Sequence, residues 1–162
     1  NYITRVLTEN YYGNLARINT AWHQDYPYNM FCTGVNQYGT KCQIGCFATA
    51  ASQIIAYHGK LQNTSFDFDA MTSSPEVAPG TSTAYEAAML HTMVATAGNT
   101  HYNLLTLQGE TNDNDVIPAM RELGYNAELY DGANLKILYD NAKKRHPVML
   151  SGVNRHNNGK LT

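Results

Sequence analysis

Charge is scarce in this chain. Of 162 residues only 15% are charged, and eleven Lys and Arg against thirteen Asp and Glu leave a formal net charge of −2. Basic residues gather only at Lys143-Lys144-Arg145-His146, so the electrostatic footprint for nucleic acid or an anionic membrane is missing. Long apolar runs are missing too, and none approaches the roughly 18 residues of a membrane span. Asn1-Tyr2-Ile3-Thr4-Arg5 lacks the charged-then-apolar layout of a signal peptide, so the expectation is that any targeting segment has been removed. No internal repeat or low-complexity tract occurs. Disorder is excluded from the other side: 43% of the residues are hydrophobic, whereas disordered chains are apolar-poor and charge-rich. Twelve tyrosines and many asparagines imply a surface of neutral hydrogen-bonding groups, which leans towards an extracellular protein.

Cysteine is also sparse, and here the count carries information. Three cysteines leave one thiol over if two are bridged. The segment Cys46–His58 predicts a helix, because it is alanine-rich and Gly59 stands where a left-handed cap is wanted. Cys46 therefore falls in a first helical turn, directly after Gly45. Unpaired backbone N–H groups and the helix dipole favour an anion there, and the thiolate is the nucleophilic form of cysteine. A buried, inert cysteine is the alternative at that position. Cys32 and Cys42 could bridge across the intervening loop and leave Cys46 free. A zinc site would need a fourth ligand that nothing nearby supplies. No metal and no cofactor are expected.

Further along, residues 60–82 read as loop. A second helix is expected from Thr83 to Ala97, with Thr83 and Glu86 as a capping box and Gly98 as its stop. A third is expected over Asp115–Leu123 with Asn114 as N-cap, and a fourth over Leu135–Lys144. Tyr125–Tyr130 and Pro147–Val153 read as strands, the latter from the apolar run Val148-Met149-Leu150. Residues Asn154–Thr162 carry turn chemistry that normally leads into another strand. The expected class is α+β, and this set of elements does not close a sheet by itself.

Several stretches match a known family. Trp22-His23-Gln24-Asp25-Tyr26-Pro27-Tyr28-Asn29, then Cys42-Gln43-Ile44-Gly45-Cys46-Phe47-Ala48-Thr49-Ala50 and Gln53-Ile54-Ile55-Ala56-Tyr57-His58, resemble the streptopain family of cysteine peptidases. Phe66–Met71 and Pro147–Val153 extend the match, and interpain-like members from Bacteroidetes-type bacteria are the most similar in pattern. The resemblance implies a papain-like fold in which residues 1–162 form the nucleophile-bearing portion of a single catalytic domain: its helical part plus the first sheet strands. It implies Cys46 as nucleophile, Gln24 as a side-chain oxyanion donor, and Gly152 and Val153 as substrate-cleft residues. Peptide or protein substrates and a secreted or cell-surface bacterial enzyme follow from the same match.

The match also departs from the family pattern. Family members follow the Pro-Val strand with a Gly-His-Ala strand bearing the catalytic histidine, and that motif does not occur before Thr162. None of His23, His58, His91, His101, His146 and His156 is expected to replace it. The expectation is a chain processed near Thr162, with the histidine on a second polypeptide; the alternative is a sequence truncated there. Gln108–Asp115 stands where the family has a cleft segment, and it reads as a solvated acidic loop. Two other functions compete: a catalytically inactive papain-like module that binds peptides or a partner protein, and a double-glycine leader peptidase. The Pro27-Tyr28-Asn29 and Phe66–Met71 matches disfavour the latter.

Overall fold

The computed structural model describes residues 18–130, 132 and 134–151. Ile18–Leu129 form one compact unit, and Tyr130 with the described residues after it belongs to a second. Gly152, Val153, His156 and the turn Asn154–Thr162 lie outside the described residues.

The first unit is built around helix α1, Cys46–His58. Its alanines favour helix, and Gly59 ends it at φ 60°, donating its N–H to Ile55 and Ala56 carbonyls. Ala48, Ala51, Ser52 and Ile55 share one fully buried face. A short helix α2, Phe68–Thr72, and a long helix α3, Ser82–Ala97, pack against it. Small side chains make that approach close: Ala84, Ala87 and Ala88 of α3 have no solvent exposure. Met71, Leu90 and Val94 fill the remaining volume, each contributing about 1.5–3 kcal/mol by burial.

The capping of α3 differs from the sequence expectation. Its N-cap is Thr81, whose Oγ1 accepts from the Ala84 N–H at 3.1 Å. Glu86 is used elsewhere, with its carboxylate accepting the Asp67 N–H at 2.8 Å and so tying α3 to the start of α2. Asp67 in turn caps α2 through Ala70 N–H. Residues 60–82 are therefore not all loop.

A hairpin follows: β1, His101–Asn103, pairs antiparallel with β2, Gln108–Glu110, in the register His101 to Glu110 and Tyr102 to Gly109. The Asn103 side chain closes the turn by accepting from Leu105 and Thr106 N–H groups. Helix α4 then runs Asp113–Glu122, capped by Asn112 rather than Asn114. The segment Gln108–Asp115 is thus not a loop. It is strand, connection and first helical turn, and Asp113 and Asp115 suit the positive end of the α4 dipole.

In the second unit, Asn134 caps helix α5, Leu135–Lys143, by accepting from Lys136 and Ile137 N–H groups. Neither expected strand is present among the described residues. Tyr125–Tyr130 and Pro147–Ser151 adopt no regular structure, and Val148 and Leu150 are exposed. An apolar run becomes a strand only with a partner, and no described segment pairs with either stretch. The described residues thus combine helices with one two-stranded sheet, which is compatible with the α+β class.

Candidate active site

Cys46 opens α1 and is exposed, whereas Cys32 and Cys42 are buried. No side chain caps this helix, so first-turn N–H groups remain available beside the Cys46 thiol. The local geometry depends on Gly45, which adopts φ 107°, ψ 144°. A β-carbon there would be strained whatever the space around it, and Gly109 O would lie 3.2 Å away. The Gly45 carbonyl accepts from both the Thr49 N–H and the Thr49 hydroxyl, each at 3.1 Å, which locks the turn that presents Cys46.

The hairpin backs this turn. Gln43 N–H donates to Leu107 O at 2.8 Å. A β-carbon on Gly109 would sit 2.7 Å from Gln43 O and 3.1 Å from Gly45 N, so only glycine lets β2 lie this close.

The segment before the nucleophile loop is brought back over the same turn by backbone bonding. Ile44 N–H donates to Gln24 O at 3.0 Å, and Asn29 Nδ2 donates to Cys42 O at 3.0 Å. Both Asp25 carboxylate oxygens lie within reach of Gln43 Nε2, at 3.2 and 3.3 Å. Trp22 is buried against the rings of Tyr28 and His91, with centroids 5.8 and 5.4 Å away. Gln53, on α1, accepts the Trp22 N–H at 3.2 Å. Together these place His23, Gln24, Asp25, Gln43, Cys46 and Gln53 around one open depression of ≈ 400 Å³. A second depression of ≈ 360 Å³, near Leu61, Met93 and Leu123, contains no nucleophilic side chain.

Of the described histidines, His23 alone lines the Cys46 depression. Its Nδ1 accepts the Asp25 N–H at 3.3 Å, and its ring packs edge-on to Tyr28. His58 lies at the far end of α1, about 18 Å away along the axis at 1.5 Å per residue. His91 is fully buried in α3, His101 is exposed on β1, and His146 follows α5 in the second unit.

Cys32 and Cys42 are free thiols rather than a disulfide. Cys42 Sγ donates to Asn103 O at 3.7 Å and Cys32 Sγ to Gly34 O at 3.8 Å. Burial pushes the Cys42 thiol above its ordinary value, and the neighbouring Cys32 adds to the effect. Tyr102 beside them is raised by burial and by both sulfurs. Cys42 is therefore held protonated, the reverse of what a nucleophile needs. Among the described residues, no three His, Cys, Asp or Glu side chains gather in a way that could hold a metal ion. Nor is any described helix long and apolar enough to cross a membrane.

Sequence reasoning passed over Gln53, Gln43 and Asp25. One signal was available for Gln53: it lies seven residues after Cys46, two turns on, and so on the same helix face.

A model of the peptidase C10 family, the streptopain family, matches residues 22–161. The chain belongs to this family. C10 membership implies a cysteine peptidase with protein substrates. The comparisons with curated proteins and with solved structures returned no match.

Proposed function

We propose that this C10 peptidase is a secreted bacterial endopeptidase of papain-like fold, in which Cys46 is the nucleophile and Gln24 an oxyanion donor. The observation that carries the reading is the pairing of an exposed thiol at an uncapped helix N-terminus with Gln24, which backbone bonding holds at the same depression.

In this mechanism the Cys46 thiolate attacks the scissile carbonyl carbon. The carbonyl oxygen takes the negative charge, where the Gln24 side-chain amide and the Cys46 backbone N–H stabilise it. A neutral amide does this without competing for the thiolate's charge partner. Collapse breaks the C–N bond, and the imidazolium of a histidine gives its proton to the departing amine. Water, deprotonated by the same imidazole, then cleaves the thioester and returns Cys46.

The histidine is proposed to come from a second polypeptide, continuous with this one before processing. The positions of the described histidines support this. His58 is remote, His91 is sealed in the core, and Nδ1 of His23 is occupied by a backbone N–H. Gly152 and Val153 are proposed to line the substrate cleft.

Hydrolysis of denatured casein and of internally quenched peptides tests the reading. Cys46→Ala is expected to reduce cleavage to background while leaving the far-ultraviolet circular dichroism spectrum unchanged. Parental activity in that variant would overturn the assignment. Mass spectrometry of the native preparation should reveal a second fragment beginning near a Gly-His sequence. Activity in a preparation lacking any such fragment would remove the two-chain proposal.

A further inference from the structure

The Gln53 amide is engaged at both ends. Its Oε1 accepts two hydrogen bonds, from the Thr20 hydroxyl at 3.0 Å and from the Trp22 N–H at 3.2 Å. Its Nε2 donates to Thr49 O at 3.3 Å, one turn back along α1. That last bond fixes which end of the amide faces which way: the nitrogen must point at a carbonyl, so the oxygen faces the two donors. A carboxylate would set an oxygen against Thr49 O, and an aliphatic side chain would leave two donors unpaired in a half-buried site.

These bonds act on the segment that bears Gln24. The chain is pinned to α1 at Trp22 through Gln53, and to the loop preceding Cys46 at Gln24 through Ile44. The two pins are separated only by His23. One is anchored on the nucleophile's own helix and the other two residues before the nucleophile. Without the first pin, the segment keeps the Gln24–Ile44 bond and the Gln43–Asp25 contacts on the nucleophile-loop side and the Ala21 N–H bond to Pro75 O, while the Trp22 ring stays packed on Tyr28 and His91. What it loses is the hydrogen bond that ties it to α1 at Trp22.

We propose that Gln53 is a positioning residue that holds Thr20–Gln24 in the register at which the Gln24 amide meets the developing oxyanion. The proposal rests on the oxyanion reading of Gln24. It makes a distinctive claim: Gln53 acts through Gln24, so its removal should matter only when Gln24 is present. A displacement of about 1 Å in a catalytic group can cost roughly 10²-fold in rate.

The test is a double-mutant cycle on kcat and KM with one quenched peptide, using Gln53→Leu, Gln53→Asn and Gln53→Glu, each with and without Gln24→Ala. Gln53→Leu is expected to lower kcat by about 10–10²-fold with KM changed far less. Gln53→Asn keeps the amide but withdraws it by one methylene. It should fall in the same direction, and it carries the test if the leucine variant does not fold. Gln53→Glu keeps the acceptor oxygen for Thr20 and Trp22 but sets its other oxygen against Thr49 O, so its kcat should fall between those of the parent and Gln53→Leu. In the Gln24→Ala background no Gln53 substitution should lower kcat further. Iodoacetamide should alkylate Cys46 at the parental rate in all of them.

Parental kcat in both Gln53→Leu and Gln53→Asn would overturn the proposal. So would full multiplicativity with Gln24→Ala, which would mean that Gln53 acts independently. A parent protein that hydrolyses no peptide defeats the endopeptidase reading itself, and that outcome is distinct from either of these.

Discussion

Acid should weaken this fold through one histidine. His91 has no solvent exposure and lies in the packed face of α3 against the rings of Trp22 and Tyr28. Its Nδ1 lies 2.8 Å from Ala87 O, so that nitrogen carries the proton, and its Nε2 has no hydrogen-bond partner. Burial lowers it from the ordinary 6.5 to about 4, against a raising effect of the Ala87 carbonyl and with a further lowering by neighbouring His23. Since the folded-state value is depressed, the unfolded chain takes up the proton first. The contribution to stability is complete above pH 6.5 and is lost as pH falls through about 4.

Over the whole window the loss amounts to about 3 kcal/mol, of which about 2–2.5 kcal/mol is gone by pH 4.5. That is a large part of the roughly 5–15 kcal/mol that holds a domain together. The chain has one tryptophan, Trp22, which packs at a tilt against this imidazole and reports unfolding directly. Urea denaturation followed by its fluorescence at pH 7 and pH 4.5 gives the pH-dependent loss. In His91→Phe, which keeps an aromatic ring against Trp22 and Tyr28, the loss should shrink by about 2 kcal/mol. Carboxylates titrate alike in both proteins and cancel in the difference. Equal losses in parent and variant would refute the argument that buried His91 is the acid-sensitive group.

Other consequences are local. Gln24→Ala is expected to lower kcat/KM for peptide hydrolysis by roughly 10²–10³-fold, the effect of removing one oxyanion donor; near-parental kinetics would deny it that role. Gly109→Ala places a β-carbon 2.7 Å from the Gln43 carbonyl, a backbone atom with little freedom to yield. We expect a loss of about 1–3 kcal/mol in urea denaturation, and a stability unchanged from the parent would show that the hairpin does not press on the nucleophile turn. Thr81→Ala removes the α3 cap and should cost about 1 kcal/mol by the same measurement.

What could be read from the sequence follows physical lines. α1 was legible from its alanines and terminal Gly59, and with it the place of Cys46 at a helix head. α3 was legible in position, but its cap was misplaced by two residues, because Thr83–Glu86 has capping-box spacing while Glu86 is drawn away to Asp67. α2 has five residues and β1 and β2 three each, too short for any periodicity to register. The hairpin is held in place by the backbone fit of Gly109 against Gln43 and Gly45, which no apolar pattern announces. Val148-Met149-Leu150 suggested a strand because apolar runs usually find a partner, and no described segment supplies one. Among site residues, Cys46 was a candidate nucleophile from its place at the helix head, whereas Gln24 was reached only through the family motif. Their meeting depends on the Ile44–Gln24 backbone bond, which carries no side-chain signature.

The central claim is covalent, so its most direct test is to trap the bond. The native protein is mixed with a peptide p-nitrophenyl ester, quenched in acid, and analysed by intact mass and peptide mapping. We expect a burst of one p-nitrophenolate per active site and a single acyl group on Cys46, with none on Cys32 or Cys42. Release without an acyl-enzyme, or an adduct that persists in Cys46→Ala, would contradict the assignment of Cys46 as the nucleophile.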